Sequence, residues 1–167
     1  MKSICLLAPA IHVRERHLPE KVTFNKDECV LNNLDMNIRV AVETLMNDQT
    51  QENVTTFLNE IQPGRLLANR KFLASNWREQ GYFLTEEPFN DVDLLPHPAL
   101  ILLGKQDAIC GYKDHLFLLE KFSNATFSVL DRAGHMLQIE RREVVQGLIK
   151  DWLTRTAGIG SFKSTII

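Results

Sequence analysis

The sequence predicts an α/β chain: a short, mostly parallel sheet of three strands, wrapped by helices, with a helical insertion between the first strand and the second. Three observations point there. Residues 99–103 and 125–130 are apolar runs near breakers, with Pro98 and Gly104 around the first and Gly134 beyond the second. Short apolar runs of that kind read as buried strands. Between them, residues 112–122 carry Leu116, Leu118 and Leu119 at helix-like spacing and are long enough to cross back. Strand, helix, strand is a crossover unit, which makes the two strands parallel neighbours. Finally, residues 4–11 are apolar on both faces, as a strand in a covered parallel sheet is.

In chain order, Pro9 is acceptable only near the end of the first strand, because it brings no N–H to a ladder. Residues 12–25 are mixed and polar and read as a loop; residues 26–34 hold a short helix. Asp35 is placed to cap a helix carrying Ile38, Val42, Leu45 and Met46. Thr50 is a second cap, ahead of Val54, Phe57, Leu58 and Ile61, and Pro63-Gly64 is expected to end that helix. Leu66, Leu67, Arg70, Phe72, Leu73 and Trp77 suggest a third, stopped by Gly81. Phe57, Phe72 and Trp77 read as the core of these helices. A right-handed crossover needs one helix only, so residues 12–93 are assigned as an inserted helical unit with its connectors. Residues 82–98, with three prolines and four acids, form the return path. Residues 141–153 carry Val144, Val145, Leu148, Ile149 and Trp152, an amphipathic helix packing on the sheet. The sheet unit is thus 1–11 with 94–156, and 157–167 is a tail.

Composition excludes several classes. Among 167 residues, 44% are hydrophobic and 24% charged, as in an ordinary globular domain. A net charge of −2, with no Lys/Arg run interleaved with aromatics, argues against a nucleic-acid partner. Residues 4–8 are too short an apolar run for a membrane span, which needs about 18–20, and a single N-terminal lysine is a poor match to a secretory signal. Cys5, Cys29 and Cys110 cannot all pair and form no C-x-x-C, so a reduced, cytoplasmic protein is expected. Cys5 reads as a buried strand residue. His12, His17, His97 and His115 show no metal-ligand spacing, and Lys113 with His115 reads as a solvated helix face. Neither G-x-G-x-x-G nor G-x-x-x-x-G-K-[ST] occurs, so no metal or cofactor is expected.

Chemistry is expected where the two parallel strands end. Open α/β sheets bind ligands at that carboxyl edge. Asp107 follows the first of these strands and His135 the second. A histidine base is useful when a carboxylate on Nδ1 fixes its tautomer and stabilises the imidazolium. The plain alternative is a satisfied histidine at a turn that Gly134 makes sharp. Asp131 competes with Asp107: it is nearer His135 in sequence, but Asp favours turn-capping at such a place. Asp107 lies beyond the neighbouring strand and approaches the imidazole from the side. Cys110 is close to the same edge, and a Cys–His nucleophile pair is conceivable there.

Gly104-Lys105-Gln106-Asp107 after one strand and Gly134-His135 after the next, with Glu140 five residues on, resemble the C-terminal part of an α/β-hydrolase. The resemblance covers residue 3 to about residue 154, and 107–140 is its specific part. The family's triad runs nucleophile, acid, histidine along the chain. The resemblance therefore implies Asp107 as the acid and His135 as the base of a serine-type hydrolase of esterase or lipase type. It also implies a small-molecule acyl substrate and a helical cap over the site. Cys110 after the acid does not fit that order. The family's G-x-S-x-G turn is absent, and none of the six serines lies in that context. The implied reading is a partial α/β-hydrolase fold, a C-terminal fragment inactive by itself. The rival is a non-catalytic α/β binding domain or pseudoenzyme. In the family's sheet the strand matching residues 4–11 is central, so here its far side is expected to be open. An open apolar edge is a template for another chain, and a two-fold homodimer is the simplest closure.

Overall fold

The computed structural model describes residues 2–12, 16–81 and 83–157. Its main sheet has three strands, β1 (Ile4–Leu7), β4 (Ala99–Gly104) and β5 (Ala125–Leu130), in the order β1-β4-β5. All are parallel, with Ile4 beside Ala99 and Ala99 beside Ala125. β4 is buried along its whole length, as a central strand with both faces covered must be. Its side chains alternate. Leu100 and Leu102 face one cluster with Leu137, Val145 and Trp152; Ala99, Ile101 and Leu103 face another with Leu118 and Phe122.

β1 is shorter than the apolar run predicts. Ala8 takes a positive φ of 40° and Pro9 follows, so the strand ends at Leu7. Cys5 is half-buried rather than buried, because β1 is an edge of the described sheet. A second parallel pairing, unforeseen, joins β2 (Asn25–Lys26) to β3 (Asp48–Gln49).

Between β2 and residue 81 the chain is mostly helical. α1 (Glu28–Asn32) is capped by Asp27, whose carboxylate accepts from the Val30 N–H. α2 (Met36–Leu45) follows Asp35, which stands at the capping position without making the capping bond. α3 (Gln51–Glu60) is capped by Thr50 as expected. Pro63 does not end the helical run. It sits in the first turn of α4 (Gln62–Leu66), where the missing N–H needs no intrahelical partner. The expected third helix is instead three short pieces, α4, α5 (Arg70–Leu73) and α6 (Trp77–Gly81). Phe57 is fully buried, whereas Phe72 is largely exposed and stacks on Trp77 with centroids 5.5 Å apart. The buried residues of α1–α3, including Leu31, Val42, Val54 and Phe57, share one cluster with Ile139.

Residues 112–122 also differ from expectation. A 3-10 turn (Lys113–His115) and a short helix α7 (Leu118–Lys121) replace one continuous helix. His115 lies in the 3-10 turn. Its Nε2 bonds to the Pro9 carbonyl at 2.7 Å, and the side chain is fully buried rather than solvated. Successive i→i−3 bonds, such as Leu119 N–H to the Leu116 carbonyl, wind the segment tightly around that inward side chain. After β5, α8 (Leu137–Glu140) and α9 (Arg142–Ala157) close the domain, α9 packing on β4. Of the expected tail 157–167, Ala157 is the last residue of α9, and the rest lies outside the described residues. Among them, no helix is long and apolar enough to cross a membrane.

His115 packs edge-on to His12, with ring centroids 5.2 Å apart. His12 Nε2 and His115 Nδ1 are buried without a partner among the described residues. Burial lowers both pKa values from the ordinary histidine range; for His12, His115 and Arg16 add to the lowering, while Asp114 and Asp107 oppose it. The unfolded chain therefore takes up protons below about pH 6.5 before the folded one does. Stability from this pair is present above that pH and lost as pH falls. The urea midpoint should thus drop more steeply from about pH 7 to about pH 5 in the wild type than in a His12→Phe/His115→Leu variant. Parallel pH profiles for the two proteins would contradict this.

Candidate active site

The site is built where β4 and β5 end. Gly104 closes β4, and a Cβ there would lie 2.3 Å from the Gly134 carbonyl oxygen and 2.5 Å from that of Ala133. Only glycine lets the two loops approach so closely. The loops are then joined by Lys105 N–H to the Leu130 carbonyl at 2.9 Å and Gln106 N–H to the Ala133 carbonyl at 3.0 Å.

Asp107 is fully buried and anchored by its own turn. Its Oδ1 accepts from the N–H groups of Ile109 at 2.8 Å and Cys110 at 3.1 Å. That leaves Oδ2 for His135, whose Nδ1 lies 3.1 Å away. The His135 side chain keeps 23% exposure, so the ring is held on one side and reachable on another. Asp131 does not compete. It is exposed, accepts from Gln106 Nε2 at 2.9 Å, and lies 3.9 Å from Lys105 Nζ. Its pKa is lowered, chiefly by the Gln106 bond.

Burial opposes the charged form of His135, but the Asp107 carboxylate and the Cys110 sulfur outweigh it and push the imidazole up to about 9. The shift favours the protonated ring while this side of the site is as open as it is here. A general base must be neutral to take a proton. Further desolvation of the exposed ring face would move His135 back toward that condition.

A second carboxylate holds the edge together. Glu140 Oε2 accepts from Gly134 N–H at 2.7 Å, while Oε1 accepts from Asn47 N–H at 2.5 Å and Asp48 N–H at 2.8 Å. Asn47 Nδ2 donates to the Gln106 carbonyl at 2.9 Å, and Lys21 Nζ donates to Asn47 Oδ1 at 2.7 Å. Burial raises the Glu140 pKa, although those three amides and Lys21 oppose the rise. Sequence reasoning missed Asn47, Lys21 and Gln106. The one available signal was Glu140, an acid at a fixed distance after Gly134-His135.

No family model and no curated protein matches this chain. Solved structures do. An alpha/beta superfamily hydrolase from Oenococcus oeni PSU-1 superposes with a TM-score of 0.72 at 18% identity, over 93% of this chain and 58% of that one. The chain has part of the α/β-hydrolase fold. The 2-hydroxy-6-oxo-6-phenylhexa-2,4-dienoate hydrolase of Rhodococcus sp. strain RHA1 matches with a TM-score of 0.58 at 17% identity, over 92% of this chain and 55% of that one. A serine hydrolase from Cycloclasticus zankles matches at 0.58 and 14%, over 96% and 57%. The chain therefore spans little more than half the length of these α/β-hydrolase structures.

Glu140 predicts a measurable consequence. Glu140→Ala strands three amide donors, each costing about 1–3 kcal/mol when buried and unsatisfied. A loss of about 3 kcal/mol or more is expected by urea unfolding, with faster hydrogen exchange at Gly134, Asn47 and Asp48. Glu140→Gln, which keeps one accepting oxygen, should lose less. Equal stability of Glu140→Ala and wild type would show that these bonds carry little.

Proposed function

We propose that this chain is the acid–base half of a serine-type α/β-hydrolase acting on an acyl substrate. The observation that carries the reading is the 3.1 Å contact between His135 Nδ1 and Asp107 Oδ2 at the carboxyl edge of a parallel sheet. In this reading a serine supplied by a further part of the enzyme attacks the acyl carbonyl. His135 takes the serine proton through its exposed side and returns it to the leaving group. Asp107 holds the ring and stabilises the imidazolium. Residues 12–93 act as a cap that shapes the acyl pocket, over a sheet unit of 1–11 and 94–156. The hydrolase names of the structural neighbours support the reaction class, and the free cysteines support a reducing, cytoplasmic setting.

By itself the chain should not turn over esters, because losing the nucleophile alone costs orders of magnitude in rate. The test is hydrolysis of an activated aryl ester by the purified chain. The expected result is a rate equal to that of His135→Ala. Turnover abolished both by His135→Ala and by a serine-directed inhibitor would overturn the proposal, making one of the chain's own serines the nucleophile.

We also propose that the outer edge of β1 pairs with β1 of a second copy. β1 lies at one end of the described sheet order, so its outer N–H and C=O groups have no strand beside them there. Sedimentation at low micromolar concentration should give a dimer, and Leu6→Pro should dissociate it while the far-ultraviolet spectrum stays folded. A monomer with fast amide exchange along residues 4–7 would rule the pairing out.

A further inference from the structure

Cys110 is the part of the site that the hydrolase reading leaves unused. It is fully buried, and its position three residues after Asp107 brings its sulfur to the same point as the acid–base pair. One ligand atom from each of Asp107, Cys110 and His135 lies within 4.8 Å of the other two. The donor set is a carboxylate oxygen, a thiol sulfur and an imidazole nitrogen, the three ligand types zinc accepts in proteins.

We propose that Asp107, Cys110 and His135 form a site for a thiophilic divalent cation of the zinc type, held by Asp107 Oδ2, Cys110 Sγ and His135 Nδ1. The bite already present favours it. Oδ2 and Nδ1 stand 3.1 Å apart. Two ligands each about 2.0–2.1 Å from one zinc ion and near the tetrahedral angle are about 3.3 Å apart. The oxygen and nitrogen thus need almost no movement. A zinc–sulfur bond of about 2.3 Å puts sulfur about 3.5 Å from each of the other donors. Sγ, within 4.8 Å now, needs an approach of little more than about 1 Å to meet that geometry.

The rest of the turn fits the role. Oδ1 of Asp107 is fixed by the amides of Ile109 and Cys110, so Oδ2 is already aimed. Ligand carboxylates are commonly held this way by bonds to their second oxygen. Gly104 and Glu140 fix the approach of the His135 loop from the other side. Binding replaces the proton on Nδ1 and the proton on Sγ, both of which leave to solvent, so the cation and the Asp107–His135 hydrogen bond are alternatives. The proposal uses the same Asp107 and His135 as the hydrolase reading, and a bound cation would displace the hydrogen bond on which that reading rests.

The test uses the whole chain in a Cys29→Ser background, which removes the exposed thiol. Cobalt(II) is added as the probe. One equivalent should be taken up, with a near-ultraviolet sulfur-to-cobalt charge-transfer band. Cys110→Ser should abolish the band, and Asp107→Asn or His135→Gln should weaken uptake at least tenfold. Because a variant at a buried residue can fail to fold, zinc-edge X-ray absorption of the unmutated site gives a second reading. It should show one sulfur at about 2.3 Å with nitrogen and oxygen neighbours at about 2.0–2.1 Å. No uptake, a shell without sulfur, or a charge-transfer band that survives in folded Cys110→Ser would overturn the site. Ester turnover does not enter either measurement, so the two proposals fail separately.

Discussion

The carboxylate of Glu140 is the fixed point of this molecule. It accepts from amides at Gly134, Asn47 and Asp48, so one side chain ties the loop after β5 to the turn between α2 and α3. Ionised carboxylates bonded to several backbone N–H groups form strong, directional contacts. Burial works against the charge, which is why the pKa still rises. The balance tells what the residue is for. A charge disfavoured by its own desolvation and retained by three amides is holding backbone in place. What it holds is the residue immediately before His135.

That placement explains how a half-exposed imidazole keeps a defined orientation. Gly104 lets the β4 loop come against Ala133 and Gly134, and Glu140 stops the β5 loop from moving away. Asp107, pinned by two amides of its own turn, then meets His135 with no freedom left to search. Preorganisation of this kind is what makes a histidine–carboxylate pair useful, because the cost of ordering is met during folding and not during reaction. The same turn carries Cys110, whose backbone N–H is one of the two donors to Asp107 Oδ1.

The sheet was legible because its signals are local. Residues 99–104 and 125–130 are apolar runs between breakers, and a single crossover rule makes them parallel. From that alone Asp107 and His135 fall on one edge, and the preference for Asp107 over Asp131 follows from which strand each one ends. The misreadings have the opposite character. Residues 112–122 carry a fair helical pattern, but His115 turns inward to the carbonyl of Pro9, 106 residues away. Nothing in the local spacing announces that bond. Asn47 and Glu140 are separated by 93 residues, and Lys21 reaches the same knot from a stretch that reads as plain loop. Pro63 shows a different failure. Proline stops a helix from within and starts one at its first turn, and which applies here depends on Ile61 and Gln62 before it.

Three apolar clusters, one on each face of β4 and one joining α1–α3 to Ile139, make up the core of the described residues. The buried polar side chains are His12, Asn47, Gln49, Asp107 and His115. Groups of this kind are expensive in a core, since every buried polar atom needs a partner. Most find one, but His12 Nε2, His115 Nδ1 and Gln49 Oε1 have none among the described residues. A purely structural junction gains stability when such groups are replaced by well-packed apolar ones. Polar groups around a buried acid and a reachable imidazole are what the proposed acid–base chemistry would need, and the apolar clusters are the frame beside them.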